Sequence, residues 1–167
     1  LPEEEQEEVV AGLLPRLWRA PPLPAAFRPL SEMITCWSDE SRQQADNWPD
    51  RDLAEEGLRI YQELSDSATE QVLLATDLHA GNVLKAQREP WLVIDPKPFY
   101  GDPTYDATQH LLNCRDRLRD DPHGTIDRFS GLLGIDRERV RLWTFARLAT
   151  QVGGDPNELQ ALARLLK

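Results

Sequence analysis

The stretch from Thr76 to Pro98, TDLHAGNVLKAQREPWLVIDPKP, decides the fold of this chain. Two short apolar runs in it flank four turn-type residues, which predicts an antiparallel hairpin with strands at Val83 to Ala86 and Trp91 to Ile94. If the first residue of one strand faces the last residue of the other, the same register places Asn82 opposite Asp95. An amide and a carboxylate are then expected side by side at the open end of the hairpin.

Asp77 precedes Asn82 in the loop that leads into this hairpin, so its carboxylate is expected at the same end. Mg²⁺ takes oxygen ligands, usually one or two protein groups with phosphate oxygens and water, and Asn82 and Asp95 offer such oxygens. Asp77 then stays free to accept the proton of an attacking hydroxyl. That is the role of the aspartate in kinase catalytic loops, where a metal-binding asparagine follows at the same spacing. The pattern therefore indicates phosphoryl transfer.

Three motifs carry a family resemblance: residues 73–84, LLATDLHAGNVL; residues 93–98, VIDPKP; and residues 101–106, GDPTYD. In these motifs the chain resembles the aminoglycoside and hydroxyurea phosphotransferases, most closely the streptomycin 6-kinase-like branch. The resemblance implies an α+β, mainly helical fold: the C-terminal lobe of a protein-kinase-like fold, whose small β-hairpin carries the catalytic and metal-binding residues. The Asp-x-x-x-x-Asn spacing alone is common, but the three motifs in this order are typical of kinase-like phosphotransferases and their decayed descendants.

The resemblance also implies roles for five side chains. Asp77 is expected to be the catalytic base, and Asn82 and Asp95 are expected to bind Mg²⁺. Asp106, at the start of the next helix, is expected to be a buried carboxylate that supports the catalytic loop. His79 is expected either to contact phosphate or to fix the loop, while the acceptor-binding residues remain unassigned.

Three neighbouring positions have simpler interpretations. Asp102 precedes Pro103 and is interpreted as a helix N-cap followed by proline at the first helical position. Lys97 is interpreted as a solvated loop lysine in preference to a phosphate ligand. Ala75 stands where many relatives carry the histidine of a His-x-Asp triplet, and this departure bears on the rigidity of the loop more than on its chemistry.

The resemblance implies ATP as the phosphoryl donor and Mg²⁺ as the cofactor. Enzymes of this class close a glycine-rich flap over the nucleotide and pair its phosphates with a strand lysine. Neither feature is found among the 167 residues, whose nine glycines include no Gly-x-Gly-x-x-Gly run. We therefore expect residues 1–167 to form one domain, the catalytic and acceptor-binding lobe, with the N-terminal nucleotide lobe as a missing partner. Such a chain is expected to be inactive alone.

The net charge of −10 argues against nucleic acid as a partner and favours a cationic small molecule, such as an aminoglycoside in a carboxylate-lined cleft. The run from Glu3 to Glu8 weakens this argument, because it is most simply the solvated first turn of a helix. No apolar run is long enough to cross a membrane, and no secretory leader is visible. Cys36 and Cys114 lack partners at metal-ligand spacing, so reduced thiols and a cytoplasmic location are expected.

Apolar periodicity predicts a mostly helical lobe around a small sheet, with the first helix stopped by the prolines of residues 21–24. Asp136 and Asp155 are predicted helix N-caps. Trp18, Trp37 and Trp48 lie near loops or helix ends, where packing is favoured over lining of a cleft. The second predicted helix runs from Ser31 to Trp37, and its extension past Asp39 stays open. The other predicted elements are helices at Glu3 to Trp18, Asp50 to Ser65, Pro103 to Asn113, Thr125 to Leu133, Asp136 to Val152 and Pro156 to Leu166, and a strand at Val72 to Ala75.

These observations predict an ATP-dependent phosphotransferase that moves the γ-phosphoryl group to a hydroxyl of a streptomycin-like aminoglycoside and so confers resistance. Two alternatives stay open. The acceptor could instead be hydroxyurea, another antibiotic, a sugar or an amino alcohol, with the same fold. The chain could also be a noncatalytic truncated lobe that binds a ligand or partner without turnover. The complete set of Asp77, Asn82 and Asp95 favours an enzyme.

Overall fold

The computed structural model describes residues 1–20 and 26–167, and in this part the chain is α+β and mainly helical, as predicted. Its helices are α1 (Glu3–Leu17), α2 (Leu30–Gln43), α3 (Arg51–Asp66), α4 (Pro103–Leu111), α5 (Arg115–Asp120), α6 (Pro122–Leu133), α7 (Arg137–Thr150) and α8 (Pro156–Leu165). Its strands are β1 (Arg28–Pro29), β2 (Val72–Leu74), β3 (Val83–Lys85), β4 (Trp91–Val93) and β5 (Phe99–Gly101). Single 3₁₀ turns lie at Ala45–Asn47 and Ala80–Asn82.

Helix α7 forms the centre of the core, because every residue from Trp143 to Thr150 is buried. It packs most extensively against α3 and also contacts α4 and α8. The Trp143 ring meets the Tyr105 ring edge-on, with 5.2 Å between centroids, and lies 5.7 Å from the Tyr61 ring. The helix predicted at Asp50 to Ser65 is confirmed as α3, and its apolar residues Leu53, Leu58, Tyr61 and Leu64 form a stripe that is buried against this core.

A three-stranded sheet positions the loop that follows β2. Strand β5 is central, with β1 parallel on one side and β2 antiparallel on the other. Leu74, the last residue of β2, is paired with Phe99, the first residue of β5. The segment that leaves β2 and the segment that enters β5 therefore lie side by side, and a hydrogen bond of 3.0 Å from Lys97 N to Ala75 O continues their contact beyond the sheet.

The predicted hairpin is present, but its predicted register is wrong by one residue. Strand β3 pairs with β4 so that Val83 faces Val93, and the N–H of Ile94 donates to the carbonyl oxygen of Asn82 at 3.0 Å. Asn82 is therefore opposite Ile94 and not opposite Asp95. The reason is a longer turn at 86–90 and a left-handed backbone at Asp95, where φ is 49°, which ends the extended strand.

Several short elements were not predicted from the sequence. Strands β1 and β5 and helix α5 are too short to show a periodic pattern. Helix α2 ends at Gln43, which agrees with the alternative in which the helix predicted from Ser31 extends past Asp39. The proline segment expected to stop the first helix lies outside the described residues. None of the helices in the described ranges combines the length and apolar character needed to cross a bilayer.

The predicted helix caps are confirmed. The Asp102, Asp136 and Asp155 side chains each accept a hydrogen bond from a backbone N–H in the first turn of the helix that follows. Asp102 has a second role that the sequence did not indicate, because its buried carboxylate also accepts from the Trp143 indole at 3.0 Å and from Arg139 Nε at 2.5 Å. The start of α4 is thereby fixed to α7.

The acidic run near the N-terminus is only partly solvated, contrary to expectation. Glu7 is fully buried in α1, and its carboxylate accepts from Arg128 Nε at 2.5 Å and from Arg117 Nη1 at 3.2 Å. This ion-pair cluster joins α1 to α5 and α6. One of the negative charges of the run is therefore neutralised inside the protein and does not contribute a free charge to the surface.

Gly57 sets the close approach of α3 to α7. A Cβ atom at this position would lie 2.8 Å from the Ala149 Cβ and 2.9 Å from the Thr150 Cγ2. Alanine is favoured over glycine within a helix, but this overpacking outweighs the gain. We expect Gly57→Ala to lower the free energy of unfolding by about 1–3 kcal/mol, measured by urea denaturation.

Gly12→Ala in α1 is the matched control, because in the described part of the chain no atom outside its chain neighbours and the local helix backbone lies within 4 Å of a Cβ added there. This substitution should raise the free energy of unfolding by up to about 1 kcal/mol. If both variants were equally stabilised, α3 and α7 would not make the close contact described above.

Candidate active site

Asp106 is a fully buried carboxylate at the start of α4 that holds the loop after β2. Its Oδ2 accepts from the Ala75 N–H at 2.9 Å and from the Trp18 indole at 3.1 Å, and its Oδ1 accepts from the Thr76 N–H at 2.7 Å. Burial raises the pKa of Asp106, whereas these three N–H donors favour its carboxylate form. Two successive backbone amides of the loop are thus fixed by one side chain.

Thr76 turns the chain sharply at this point. Its φ of 52° lies in the left-handed region that β-branched residues rarely adopt, at a cost on the order of 1–3 kcal/mol. The Asp77 N–H closes a three-residue turn by donating to Ala75 O at 2.8 Å, and Thr76 Oγ1 donates to Lys97 O at 2.5 Å. These bonds hold a strained conformation that presents Asp77 to the cavities beside the loop.

Asp77 forms an ion pair with Lys97 through its Oδ2. The side chain of Asp77 is 22% exposed and that of Lys97 is 59% exposed. The hydrogen bond and the charge of Asp77 raise the pKa of Lys97, and the charge of Asp95 adds to that rise. The interpretation of Lys97 as a solvated loop lysine is therefore incomplete, because its stem is exposed but its ammonium group contacts the predicted base.

His79 and Asn82 both make contacts within the loop. His79 Nδ1 accepts from the Gly81 N–H at 3.1 Å and caps the 3₁₀ turn, which is the loop-fixing arrangement that was one of its two expected roles. The Asn82 amide nitrogen donates to the backbone oxygen of Asp77 at 2.7 Å. This contact turns the two residues of the Asp-x-x-x-x-Asn spacing toward one another and leaves the Asn82 amide oxygen available as a ligand.

Asn82 and Asp95 offer oxygen atoms of the kind that Mg²⁺ binds. The Asp95 side chain is exposed and makes no hydrogen bond or ion pair within the described residues. Residues 1–20 and 26–167 contain no cluster of three or more His, Cys, Asp or Glu side chains that could hold a metal by themselves. Mg²⁺ needs only one or two protein oxygens when phosphate and water complete its shell, so the donor chemistry of these two side chains suits this ion. Its metal-binding role stays a prediction.

Asp77 lies where two cavities meet. The larger cavity has a volume of about 730 Å³ and lies between α2 and the loops that carry Asp77 and Lys97. The smaller cavity has a volume of about 340 Å³ and is enclosed by α2, α3 and α7. Trp37 and Gln109 line both cavities, so the two spaces form adjoining parts of one cleft with Asp77 at their junction.

The cleft is not dominated by carboxylates, which corrects the expectation from net charge. Its charged lining residues are three acids and three bases: Glu32, Glu40, Asp77, Arg28, Lys97 and Arg147. Arg147 is buried and donates to Thr108 Oγ1 and Gln109 Oε1, each at 2.7 Å. Glu32 and Glu40 form no ion pair in the described part of the chain, so they are the acids of the cleft wall that remain open to a ligand.

The α2 wall of the cleft was not identified from the sequence, which predicted a helix from Ser31 to Trp37, left its extension past Asp39 open, and assigned no acceptor-binding residue on it. Trp37 is 36% exposed and lines both cavities, although packing was favoured for it. Glu40 follows Trp37 by about one helical turn and lines the smaller cavity. Extension of this helix past Asp39, the alternative left open by the sequence, places both side chains on one face.

Comparison with known proteins shows which family this chain belongs to. Residues 2–152 match the family described as aminoglycoside/hydroxyurea antibiotic resistance kinase. The chain belongs to this family, which confirms the resemblance seen in its motifs.

Similar proteins of known name include a hydroxyurea phosphotransferase of Kitasatospora aureofaciens, 37% identical over 84% of this chain and 41% of that protein. The streptomycin 6-kinase of Streptomyces glaucescens is 38% identical over 84% of this chain and 48% of that protein. The streptomycin 6-kinase of Streptomyces griseus is 35% identical over 87% of this chain and 50% of that protein. The chain thus spans about half the length of the relatives it matches.

The contact between Lys97 and Asp77 can be tested by amine labelling without metal or nucleotide. The negative charge of Asp77 raises the pKa of Lys97, and only the unprotonated amine reacts with an acylating reagent. Asp77→Asn should therefore lower the pKa of Lys97 and speed its acylation severalfold at about pH 9. Quantitative mass spectrometry measures the rate, with Lys85 and Lys167, the other two lysines of the sequence, as internal references.

Asp46→Asn is the control for this measurement, because Asp46 is exposed and does not line the cleft. It should leave the rate at Lys97 unchanged. Equal rates at Lys97 in the Asp77→Asn variant and in the unaltered protein would contradict the ion pair.

Proposed function

We propose that the protein transfers the γ-phosphoryl group of ATP to a hydroxyl of a streptomycin-like aminoglycoside, and that residues 1–167 supply the C-terminal, catalytic lobe of a kinase-like fold. The observation that carries this proposal is the position of Asp77. A hydrogen-bonded turn places Asp77 at the junction of two cavities that together are large enough for a drug-sized acceptor, and the proposed metal ligands Asn82 and Asp95 flank the same hairpin. Membership of the resistance-kinase family supports phosphoryl transfer as the reaction.

In the proposed step, Asp77 acts as the general base. The acceptor hydroxyl oxygen forms a bond to the γ-phosphorus, and the bond from that phosphorus to the β,γ-bridging oxygen breaks, so that ADP leaves. The hydroxyl proton passes to the Asp77 carboxylate. Lys97 occupies Asp77 Oδ2, which leaves Oδ1 to accept this proton. The contact of Asn82 with the Asp77 backbone keeps the carboxylate oriented toward the cleft.

The hairpin end is the proposed site for Mg²⁺ and the ATP phosphates. Asn82 and Asp95 would hold the metal through their side-chain oxygens. Mg²⁺, when bound, neutralises charge that develops on the phosphate oxygens, a contribution of several kcal/mol to the barrier. The contribution of this chain is to fix Asn82 at the end of the 3₁₀ turn and to place Asp95 two residues after the end of β4.

The cleft beside Asp77 is the proposed acceptor site. Glu32 and Glu40 project from the α2 wall about 12 Å apart along the helix axis, since eight residues separate them in the sequence. Two free carboxylates can pair with two cationic groups of an aminoglycoside by charge-assisted hydrogen bonds. Trp37 lies between them in sequence and offers an exposed ring on the same wall.

The hairpin also supports the proposal of a further, nucleotide-binding lobe. Leu84 and Leu92 face one another across the β3–β4 pair, and both are exposed together with Ile94. An exposed apolar face next to the proposed metal ligands suits a surface that another part of the protein covers. The greater length of the relatives supports the same idea. In this proposal, residues 1–167 alone do not turn over ATP, and the protein works in the cytoplasm.

A less cationic acceptor is the second candidate, and the balanced charge of the cleft favours it. Arg28, Lys97 and Arg147 match the three carboxylates, so the cleft as a whole does not require a multiply charged ligand. Hydroxyurea, the acceptor in the name of one relative, carries no positive charge. The two candidates share the catalytic loop and differ in whether Glu32 and Glu40 contribute to acceptor binding.

Asp77→Asn tests the proposed base. The amide keeps the shape of the side chain but accepts no proton, so kcat for acceptor phosphorylation should fall by roughly a hundredfold or more. Acceptor affinity should change little. The measurement uses the protein as its gene encodes it, with turnover followed by release of ADP and affinity by calorimetry.

The Asp46→Asn variant again serves as the control, since it removes an exposed charge outside the cleft and should retain full turnover. Unaltered turnover in Asp77→Asn would assign Asp77 a structural role and would overturn the proposed mechanism.

Glu32→Gln and Glu40→Gln, alone and together, test the acceptor class. Each removes one charge-assisted hydrogen bond to a cationic acceptor, so the KM for streptomycin should rise by about tenfold per substitution. The KM for hydroxyurea should stay constant, because that acceptor has no cation. Steady-state kinetics with both acceptors separate the candidates, and Glu70→Gln, an exposed change remote from the cleft, is the control.

If the two single variants and the double variant had the same KM for streptomycin as the unaltered protein, the aminoglycoside would not contact the α2 wall. The acceptor assignment would then move to an uncharged molecule.

A further inference from the structure

The backbone of Lys97 is fixed on both sides to the loop that carries Asp77. Its N–H donates to Ala75 O at 3.0 Å, and its carbonyl oxygen accepts from Thr76 Oγ1 at 2.5 Å. Pro96 and Pro98 flank it and restrict the backbone further. The segment therefore fixes the Lys97 backbone against the catalytic loop, although Lys97 belongs to the loop between β4 and β5.

Two carboxylates act on the ammonium group of Lys97, one by direct contact and one at longer range. It contacts Asp77 Oδ2 directly, and it feels the charge of Asp95, two residues earlier in the chain. More than half of the side chain is exposed, and Lys97 lines the larger cavity together with Asp77. A cation at this point can reach both the predicted base and a ligand that enters the cleft.

The other basic side chains near the loop already have contacts within the protein. His79 uses Nδ1 to accept the Gly81 N–H, so this nitrogen faces the loop backbone. Arg147 is buried and bonded to Thr108 and Gln109, and Arg28 lies over the Phe99 ring at 4.8 Å. Among the described residues, Lys97 is the cation that contacts Asp77.

We propose that Lys97 positions the transferring phosphoryl group: its ammonium orients Asp77 between turnovers and donates a hydrogen bond to a non-bridging oxygen of the γ-phosphoryl group during transfer. This inference rests on the proposed phosphoryl transfer. A lysine ammonium is a compact point charge that suits phosphate oxygens, whose negative charge is spread over the phosphoryl group in the transition state. No atom is gained or lost by Lys97, which stays protonated throughout.

An exposed ion pair adds at most about 1 kcal/mol to stability, so Lys97 can be replaced without loss of the fold. In the protein as its gene encodes it, Lys97→Met should lower kcat by about a hundredfold and change the KM for the acceptor less than threefold. Lys97→Arg should recover part of the lost kcat, because it restores the charge with a different shape. Lys167→Met, which removes an exposed lysine outside the cleft, is the control.

A second measurement does not depend on turnover. Acylation of Lys97 by an amine reagent should slow severalfold when magnesium and the non-hydrolysable analogue adenylyl imidodiphosphate are added, while Lys167 labels at an unchanged rate. If the protein phosphorylates no acceptor but Lys97 is still shielded, the proposed function fails and the phosphate contact stands. If turnover is normal in Lys97→Met, or if Lys97 is not shielded in an active protein, the role proposed for Lys97 is wrong and the proposed function stands.

Discussion

The buried Asp106 carboxylate is the interaction on which the rest of the candidate site depends. It accepts the N–H groups of Ala75 and Thr76, so the loop after β2 has a fixed path before any functional side chain is considered. Removing this acceptor would leave buried donors unpaired, at about 1–3 kcal/mol for each group. The same carboxylate reaches the Trp18 indole near the end of α1, so helix, strand and loop meet at a single charged group.

The strained turn at Thr76 connects this support to function. A left-handed β-branched residue is maintained because hydrogen bonds on both sides determine its conformation, and the result is a sharp exit from β2 that presents Asp77 to the cleft. Lys97 enters the same network from the β4–β5 loop. The packing of α3 on α7 forms the smaller cavity on the other side of Asp77. The core, the loop that carries Asp77 and the cleft are therefore connected by a small number of contacts.

Much of this arrangement could be predicted from local sequence signals. The periodic stripe of α3, the aspartate caps and the existence of the hairpin follow from patterns that act over a few residues, and the family motifs indicated Asp106 as a buried support. The hairpin register could not be predicted correctly, because it depends on the length of the turn and on the left-handed backbone at Asp95.

Local sequence signals could not predict the contacts that join segments far apart in the chain. Lys97 looked like an ordinary loop lysine, since nothing local shows that β5 runs beside β2 and carries it to Asp77. The buried Glu7 resembled its exposed neighbours because its partners Arg117 and Arg128 come from other helices. Net charge overstated the acidity of the cleft for a similar reason: it counts all charges and does not report which ones line a cavity.

The central claim is that this loop catalyses phosphoryl transfer to a small acceptor. The most direct measurement is ³¹P NMR of the protein, as its gene encodes it, incubated with ATP, magnesium and either streptomycin or hydroxyurea. We predict a new phosphate-ester resonance that grows in equal amount with ADP and requires both acceptor and protein. Formation of ADP and inorganic phosphate without such a resonance, or no change with either acceptor, would contradict the claim.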